Sequence, residues 1–123
     1  MPPLRHILIA DDDRNLRESL CEVMGDAGWS AQPAGCGAQA IQLLSGGRFD
    51  LLLSDVDMPD MTGFELLAWA RAHQHPEPAV LMSARANPDL IQAATRAGAV
   101  TLLPKPVRAA ELTQLVATLF AHH

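Results

Sequence analysis

The sequence predicts an α/β domain built on a single parallel sheet of five strands, with helices on both faces. Short apolar segments alternate with segments of helical periodicity along all 123 residues. Strict alternation of this kind favours right-handed crossovers between parallel strands. A hydrophobic content of 49% is enough to fill a core, and 123 residues suit one domain. We therefore predict one domain that covers residues 1–123.

The predicted strands are short and mainly apolar. The segments 51–54 and 79–82 are almost entirely apolar, which is typical of strands covered on both faces. A third segment contains Pro33, which has no N–H to donate to a neighbouring strand, so we place this strand at an edge of the sheet. The five predicted strands are 6–10, 29–34, 51–54, 79–82 and 100–103.

The predicted helices carry recognisable start and stop signals. In the first helix, apolar residues recur on one face from Leu16 to Ala27, and Gly28 ends the helix. Asn87 followed by Pro88 is typical of an N-cap and a first helical residue, and Gly98 ends that helix. The five predicted helices are 14–27, 38–44, 64–71, 88–97 and 108–120.

Charge and cysteine content argue against several classes of protein. The chain has 14 acidic and 9 basic residues, whereas direct binding to nucleic acid needs an excess of Lys and Arg. Apolar runs are too short for a signal peptide or a membrane span, so we expect no membrane partner. Cys21 and Cys36 form neither a CxxC motif nor a disulfide framework. We expect a cytoplasmic protein.

Polar residues follow four of the five predicted strands directly. In a parallel α/β sheet these positions share one edge, where ligands bind. Crowded carboxylates repel one another, and a divalent cation relieves this; oxygen ligands suit Mg²⁺, or Mn²⁺, better than zinc. Lys105 adds a positive charge that would bind an anion, and a phosphoryl group is the simplest candidate. The residues concerned are Asp11, Asp12, Asp13, Asp55, Ser83 and Lys105.

Four motifs at these strand ends resemble the receiver domain of two-component response regulators, including the chemotaxis regulators. They are ILIADDD at 7–13, LLLSDVDMPDMTGFELL at 51–67, VLMSA at 80–84 and LLPKP at 102–106. The resemblance covers nearly the whole chain. It implies a flavodoxin-like, doubly wound sheet with strand order 2-1-3-4-5.

The resemblance also implies the residues of a metal site. Asp55 and Asp12 would bind Mg²⁺ directly, together with the backbone carbonyl of Asp57. Asp11 would act mainly through a bound water. Asp13 is better explained as the N-cap of the first helix, since its position suits that role.

A further set of residues is implied for phosphoryl transfer. Asp55 would be the phosphoacceptor, and Lys105 would pair with it and later with a phosphoryl oxygen. The Ser83 hydroxyl would bond another phosphoryl oxygen, assisted by the backbone N–H groups of Val56 and Ala84. The phosphodonor would be a histidine kinase or a histidine phosphotransfer protein; the sequence does not identify the downstream effector.

One position departs from the family pattern. Receivers usually carry Tyr or Phe three residues before the lysine, whereas this chain has Leu102 and no tyrosine at all. Coupling between the hydroxyl residue and an aromatic ring is therefore altered. The Lys105–Pro106 bond, by contrast, matches the family's turn, and we expect it to be cis.

Two functions other than a phosphorylated switch are also compatible with parts of the sequence. Asp55-Val56-Asp57 is similar to the DxD motif of haloacid dehalogenase phosphohydrolases, but that motif normally follows the first strand, and such enzymes need a larger scaffold. A flavodoxin-like electron carrier lacks its hydroxyl-rich phosphate loop here. We therefore expect a switch rather than an enzyme, either as a stand-alone regulator, as a relay intermediate, or as a receiver excised from a hybrid kinase or transcription factor.

Overall fold

Five strands alternate with five helices in the computed structural model, which describes residues 4–122. The predicted alternation is confirmed; the outermost residues of the predicted domain, 1–3 and 123, lie outside the described part. The elements are β1 (His6–Ala10), α1 (Arg14–Asp26), β2 (Ser30–Ala34), α2 (Gly37–Gly46), β3 (Leu51–Asp55), α3 (Gly63–Ala72), β4 (Ala79–Ser83), α4 (Pro88–Arg96), β5 (Thr101–Pro104) and α5 (Ala109–Ala121).

All strand pairs in the sheet are parallel, and the order is β2-β1-β3-β4-β5, as expected of a flavodoxin-like fold. β2 lies at an edge, where the missing N–H of Pro33 costs little, so the placement inferred from this proline is confirmed. β3 and β4 each extend one residue beyond the prediction. The pairing continues there, with Asp55 opposite Met82 and Ser83 opposite Pro104.

The sheet separates two apolar cores. On one face, Leu8, Leu52 and Leu81 pack with residues of α2, α3 and α4. On the other face, Ile9 and Leu53 pack with residues of α1 and α5. Successive residues of β1 and β3 therefore point into different cores, which explains why these strands are apolar at every position.

Helix ends follow the local signals of the sequence. The Asp13 side chain accepts hydrogen bonds from the N–H groups of Asn15 and Leu16, which confirms it as the N-cap of α1. Asn87 caps α4 in the same way. Gly28 and Gly98 follow α1 and α4 with φ of 95° and 98°, a conformation that glycine adopts without steric cost.

None of the five helices within residues 4–122 has the length and apolar character needed to cross a bilayer.

The central strand β3 tests how much of the stability comes from this double burial. Leu53 is fully buried, so Leu53→Ala is expected to lower the free energy of unfolding by about 2–5 kcal/mol, through lost burial and a residual cavity. The matched control is Ile91→Ala, because Ile91 is 38% exposed and its truncation should cost less than about 1 kcal/mol. Urea denaturation measures both. Similar losses for the two variants would contradict the core described here.

Candidate functional site

Carboxylates from β1 and β3 meet at the carboxyl edge of the sheet. One carboxylate oxygen from each of Asp11, Asp12 and Asp55 lies within 4.8 Å of the other two. Asp11 is fully buried, Asp55 is 5% exposed, and Asp12 faces solvent. The structure thus brings together three acidic residues that the sequence placed after the first and third strands.

The Lys105 ammonium lies among these carboxylates. Its Nζ is 2.8 Å from Oδ2 of Asp11 and 3.1 Å from Oδ2 of Asp55. The Lys105 backbone N–H donates to the carbonyl of Ser83, which holds the start of the segment between β5 and α5 against β4. The Lys105–Pro106 peptide bond is cis, as expected. The contact with Asp55 is the one expected from the family resemblance, whereas the shorter contact with Asp11 was not predicted.

Burial and charge shift the protonation of this group of side chains. Burial raises the pKa of Asp55; the Lys105 ammonium opposes this, the Asp11 charge adds to it, and the Asp57 N–H again opposes it. Burial alone would lower the pKa of Lys105, but hydrogen bonds and attraction from Asp11 and then Asp55 raise it overall. Lys105 therefore remains a cation, and the ionised form of Asp55 is held at an energetic cost.

Neighbouring backbone and side-chain groups hold Asp11 in place. Its Oδ1 accepts a hydrogen bond from the Asp13 N–H at 2.9 Å. Its carbonyl accepts one from Nη1 of Arg17 at 2.7 Å. Because Asp11 has these partners as well as Lys105, its orientation is fixed before any ligand binds.

Ser83 ends β4 next to this group and is fully buried. Its Oγ accepts a hydrogen bond from the Arg85 N–H at 3.0 Å, and a hydroxyl that accepts one bond can still donate another. Ala84 follows as the first residue of the exposed loop that leads to α4.

The Val56 N–H, which we expected to assist in binding a phosphoryl oxygen, already has a backbone partner in the structure. The Val56 N–H donates to the carbonyl of Met82 at 2.8 Å, so it is occupied by the pairing of β3 with β4. The next N–H, that of Asp57, donates to Oδ1 of Asp55 at 3.2 Å. Asp57, rather than Val56, presents its N–H to the carboxylate. The sequence pattern could not show this, because it depends on how far the strand pairing continues.

An ion pair that the sequence did not reveal joins the loops that follow β3 and β4. Nη2 of Arg85 lies 2.6 Å from Oδ1 of Asp57, and both side chains are more than half exposed. The two residues are 28 positions apart and follow β4 and β3, so their contact arises from strand adjacency.

The chain matches a family model described as the response regulator receiver domain over residues 7–117. It belongs to the response regulator receiver domain family. Receiver domains serve two-component systems as phosphoacceptor switch domains.

Two relatives illustrate the similarity in sequence. A response regulator receiver protein of Anaeromyxobacter sp. (strain Fw109-5) is 37% identical over 91% of this chain and 47% of its own length. The transcriptional regulatory protein FixJ of Bradyrhizobium diazoefficiens is 33% identical over 90% of this chain and 54% of its own length. The chain therefore spans about half the length of these curated relatives.

Solved receiver structures have the same fold. A CheY-like receiver domain protein from Methanospirillum hungatei JF-1 superposes with a TM-score of 0.89 at 26% identity, covering 97% of this chain and 96% of its own. The response regulator TrrA from Thermotoga maritima, in complex with Mg²⁺-BeF, gives 0.83 at 26% identity, covering 94% and 99%.

The acidic pocket fits the magnesium ion that receiver domains bind. The three clustered carboxylates supply hard oxygen ligands, and the exposure of Asp12 leaves room for water, which Mg²⁺ retains in proteins. Among the described residues, 4–122, this cluster contains carboxylates and no cysteine or histidine. The chemistry of the donors therefore suits Mg²⁺ or Mn²⁺ rather than zinc.

Leu102 occupies the position at which receivers usually carry an aromatic ring. It is 3% exposed and packs in the core on the α2, α3 and α4 face of the sheet. Leu102 is thus a buried core residue, and it has no hydroxyl that could change hydrogen-bond partners.

Replacing the buried acid tests the electrostatic cost of the site. Since the folded state raises the pKa of Asp55, its ionised form opposes folding at neutral pH, and this opposition disappears as the pH falls toward the ordinary carboxyl range. Asp55→Asn is therefore expected to raise Tm at neutral pH in chelator, and to raise it by less near the ordinary carboxyl range, where the wild-type acid is protonated in both states. Thermal denaturation measures both. A lower Tm for the variant at neutral pH would contradict this account.

Proposed function

We propose that this receiver domain accepts a phosphoryl group on Asp55 in a Mg²⁺-dependent reaction and acts as a phosphorylation-controlled switch. The phosphodonor is the phosphohistidine of a histidine kinase or of a histidine phosphotransfer protein. The observation that carries the proposal is the position of Lys105, whose ammonium contacts both Asp11 and Asp55 beside the exposed Asp12. A phosphoryl group bonded to Asp55 would therefore lie within reach of the Lys105 ammonium.

In the transfer step, a carboxylate oxygen of Asp55 attacks phosphorus. The bond between phosphorus and the imidazole nitrogen of the donor breaks, and that nitrogen keeps the electron pair. Lys105 then pairs with a phosphoryl oxygen, and the Ser83 hydroxyl donates to another. Among the backbone groups, the N–H of Asp57 already faces the Asp55 carboxylate, and that of Ala84 lies at the start of the adjacent loop. Alignment and charge stabilisation of this kind account for most of phosphoryl-transfer catalysis.

The metal would be held by Asp12, by Asp55 and by the backbone carbonyl of Asp57, with Asp11 acting through a water. When bound, Mg²⁺ or Mn²⁺ neutralises negative charge on the phosphoryl oxygens and on the carboxylates. Asp11 has a second role in this scheme, because its contact with Lys105 keeps the ammonium directed into the pocket before the phosphoryl group arrives.

In this proposal the surface that changes on phosphorylation lies near α4, β5 and α5, and α4 is the element that moves. The loop after Ser83 leads directly into α4, and Ala94 is the residue of this helix that is fully buried. A helix with so little burial needs little free energy to change its position. Relatives of different lengths carry this domain: the chain covers 54% of FixJ but 86% of a 14.6 kDa protein of Leptolyngbya boryana. The proposal therefore holds for a stand-alone regulator and for one domain of a longer protein.

Incubation with acetyl phosphate and MgCl₂ tests the chemistry. We expect one phosphoryl group per chain, attached to Asp55, because Lys105 and the metal would stabilise the charge that develops as the bond to Asp55 forms. A switch requires that this adduct decay slowly enough to accumulate. Intact-mass spectrometry measures the adduct, and peptide mapping locates it. Asp55→Asn and a chelator are the controls, and both should abolish the adduct.

Two outcomes of this experiment contradict the proposal. A mass shift that persists in Asp55→Asn would place the phosphoacceptor elsewhere. Rapid release of many equivalents of phosphate per chain, with no adduct accumulating, would instead identify a phosphohydrolase.

The ion pair between Asp57 and Arg85 makes a separate prediction about the lifetime of the adduct. The pair joins the loops after β3 and β4, and Asp57 is two residues from Asp55, so Arg85→Gln is expected to loosen these loops, admit water and shorten the half-life roughly 2–10-fold. Stability should change by less than about 0.5 kcal/mol, since an ion pair this exposed contributes little. Decay of the phosphorylated protein after removal of the donor gives the half-life. Arg14→Gln, which breaks another exposed ion pair, with Glu18 on α1, is the matched control. Equal half-lives for all three proteins would exclude this role.

A further inference from the structure

Helix α2 obtains its N-terminal cap from a distant loop. Its own N-cap residue, Cys36, makes no side-chain hydrogen bond to the helix. Instead Oδ1 of Asp60 accepts from the N–H of Gly37 at 2.9 Å, and Oδ2 accepts from the N–H of Ala38 at 2.8 Å. The first N–H groups of a helix have no partner within the helix, and a carboxylate is the strongest acceptor for them. These two bonds also hold the pKa of Asp60 below its usual range.

Asp60 belongs to the loop that carries the phosphoacceptor chemistry. This loop, residues 56–62, begins directly after Asp55 and includes Asp57. A second contact brings it against α2: the side chain of Met61 packs so closely over Gly37 that any Cβ at position 37 would collide with it. Two adjacent residues of the loop therefore lie on the start of one helix.

The other end of the same loop is held against β3. The Gly63 N–H donates to the carbonyl of Val56 at 2.8 Å, and a Cβ at position 63 would lie 2.5 Å from the carbonyl oxygen of Asp55. Asp57 and Thr62 also form an isolated antiparallel bridge. The loop closes on itself at its base, and Asp60 ties its tip to α2.

We propose that Asp60 is a positioning residue for phosphoryl transfer: its bonds to Gly37 and Ala38 fix loop 56–62 so that the backbone of Asp57 stays aligned with Asp55. This inference rests on the proposed function. It assigns Asp60 a role without contact to the metal or the phosphoryl group. In that role it acts through the Asp57 carbonyl, which would bind the metal, and the Asp57 N–H, which faces Asp55.

The alternative is that Asp60 merely stabilises α2, and a local cap separates the two roles. In Asp60→Ala the helix loses its cap and the loop loses its tether. In Cys36→Asp/Asp60→Ala, an acid at the N-cap position bonds to the N–H groups of the first turn and restores the cap, but it cannot hold the loop. Cys36→Asp alone is the matched control. A parallel set with Cys36→Ser separates capping from a change of charge at position 36.

Four measurements are made on each protein: Tm in chelator, the Kd for Mg²⁺ from calorimetric titration with MgCl₂, the rate of phosphorylation by acetyl phosphate, and hydrogen exchange of the loop. For Asp60→Ala we expect Tm to fall by about 3 to 5 °C, and the Kd for Mg²⁺ to rise about 10-fold with a similar loss of rate. In the double variant Tm should return, while Mg²⁺ affinity and rate stay low. Exchange of the backbone N–H groups of Val56, Asp57, Met58, Met61 and Thr62 should be faster in both proteins that lack Asp60.

Recovery of Mg²⁺ affinity and rate together with Tm in the double variant would show that Asp60 only caps the helix, and would overturn the inference. Unchanged Mg²⁺ affinity in Asp60→Ala would overturn it as well. Failure of the proposed function looks different, because the wild-type chain itself would then form no Mg²⁺-dependent adduct at Asp55.

Discussion

The Lys105 ammonium lies 2.8 Å from one buried carboxylate and 3.1 Å from another, and the whole site depends on this arrangement. With Asp12 included, three carboxyl groups cluster beside this ammonium. Two like charges about 4 Å apart repel by roughly 4 kcal/mol at an effective dielectric constant of about 20. Each fully buried leucine contributes about 1.5–3 kcal/mol, so the apolar residues of β1 and β3 are sufficient to hold the carboxylates together. A folded scaffold thus maintains a charge imbalance that a divalent cation relieves.

The parallel sheet supplies the geometry for this imbalance. Because every crossover makes the next strand parallel to the last, all five strands end at the same edge of the sheet. Residues at the carboxyl ends of β1, β3, β4 and β5 therefore meet, although up to 94 positions separate them. β2 lies beyond β1 at the edge and ends without a charged residue, which fits its distance from the pocket. The same topology explains the contact between the loops that follow β3 and β4. The loops after β3 and β4 are adjacent, and this adjacency allows Arg85 to reach Asp57.

Periodicity and local signals were enough to predict the alternation of elements, the edge strand with Pro33, and the caps Asp13 and Asn87. These features depend on residues close together in sequence or on the rule that strand ends meet. The bonds of Asp60 to α2 were not predicted, because they join residues 22 and 23 positions apart through a particular loop path. A signal was nevertheless present, since Cys36 is a poor cap for a helix start. Thr62 and Glu65 form a capping box that its S/T-x-x-E spacing would have revealed.

If Asp55 is phosphorylated as proposed, approximate free energies favour movement of α4 over movement of the larger helices. Shifting a two-state equilibrium from 1:99 to 99:1 requires about 5.5 kcal/mol of differential binding. Hydrogen bonds to a charged group contribute about 1.5–3 kcal/mol each, so two or three new bonds from Lys105, Ser83 and a backbone N–H are sufficient. Displacing α5 would also disturb the buried residues Leu112, Val116 and Phe120, at a cost of the same order as the whole gain. α4 has Ala94 fully buried and connects to Ser83 through one short loop. The free energy available at Asp55 therefore matches the anchoring of α4 and not that of α5.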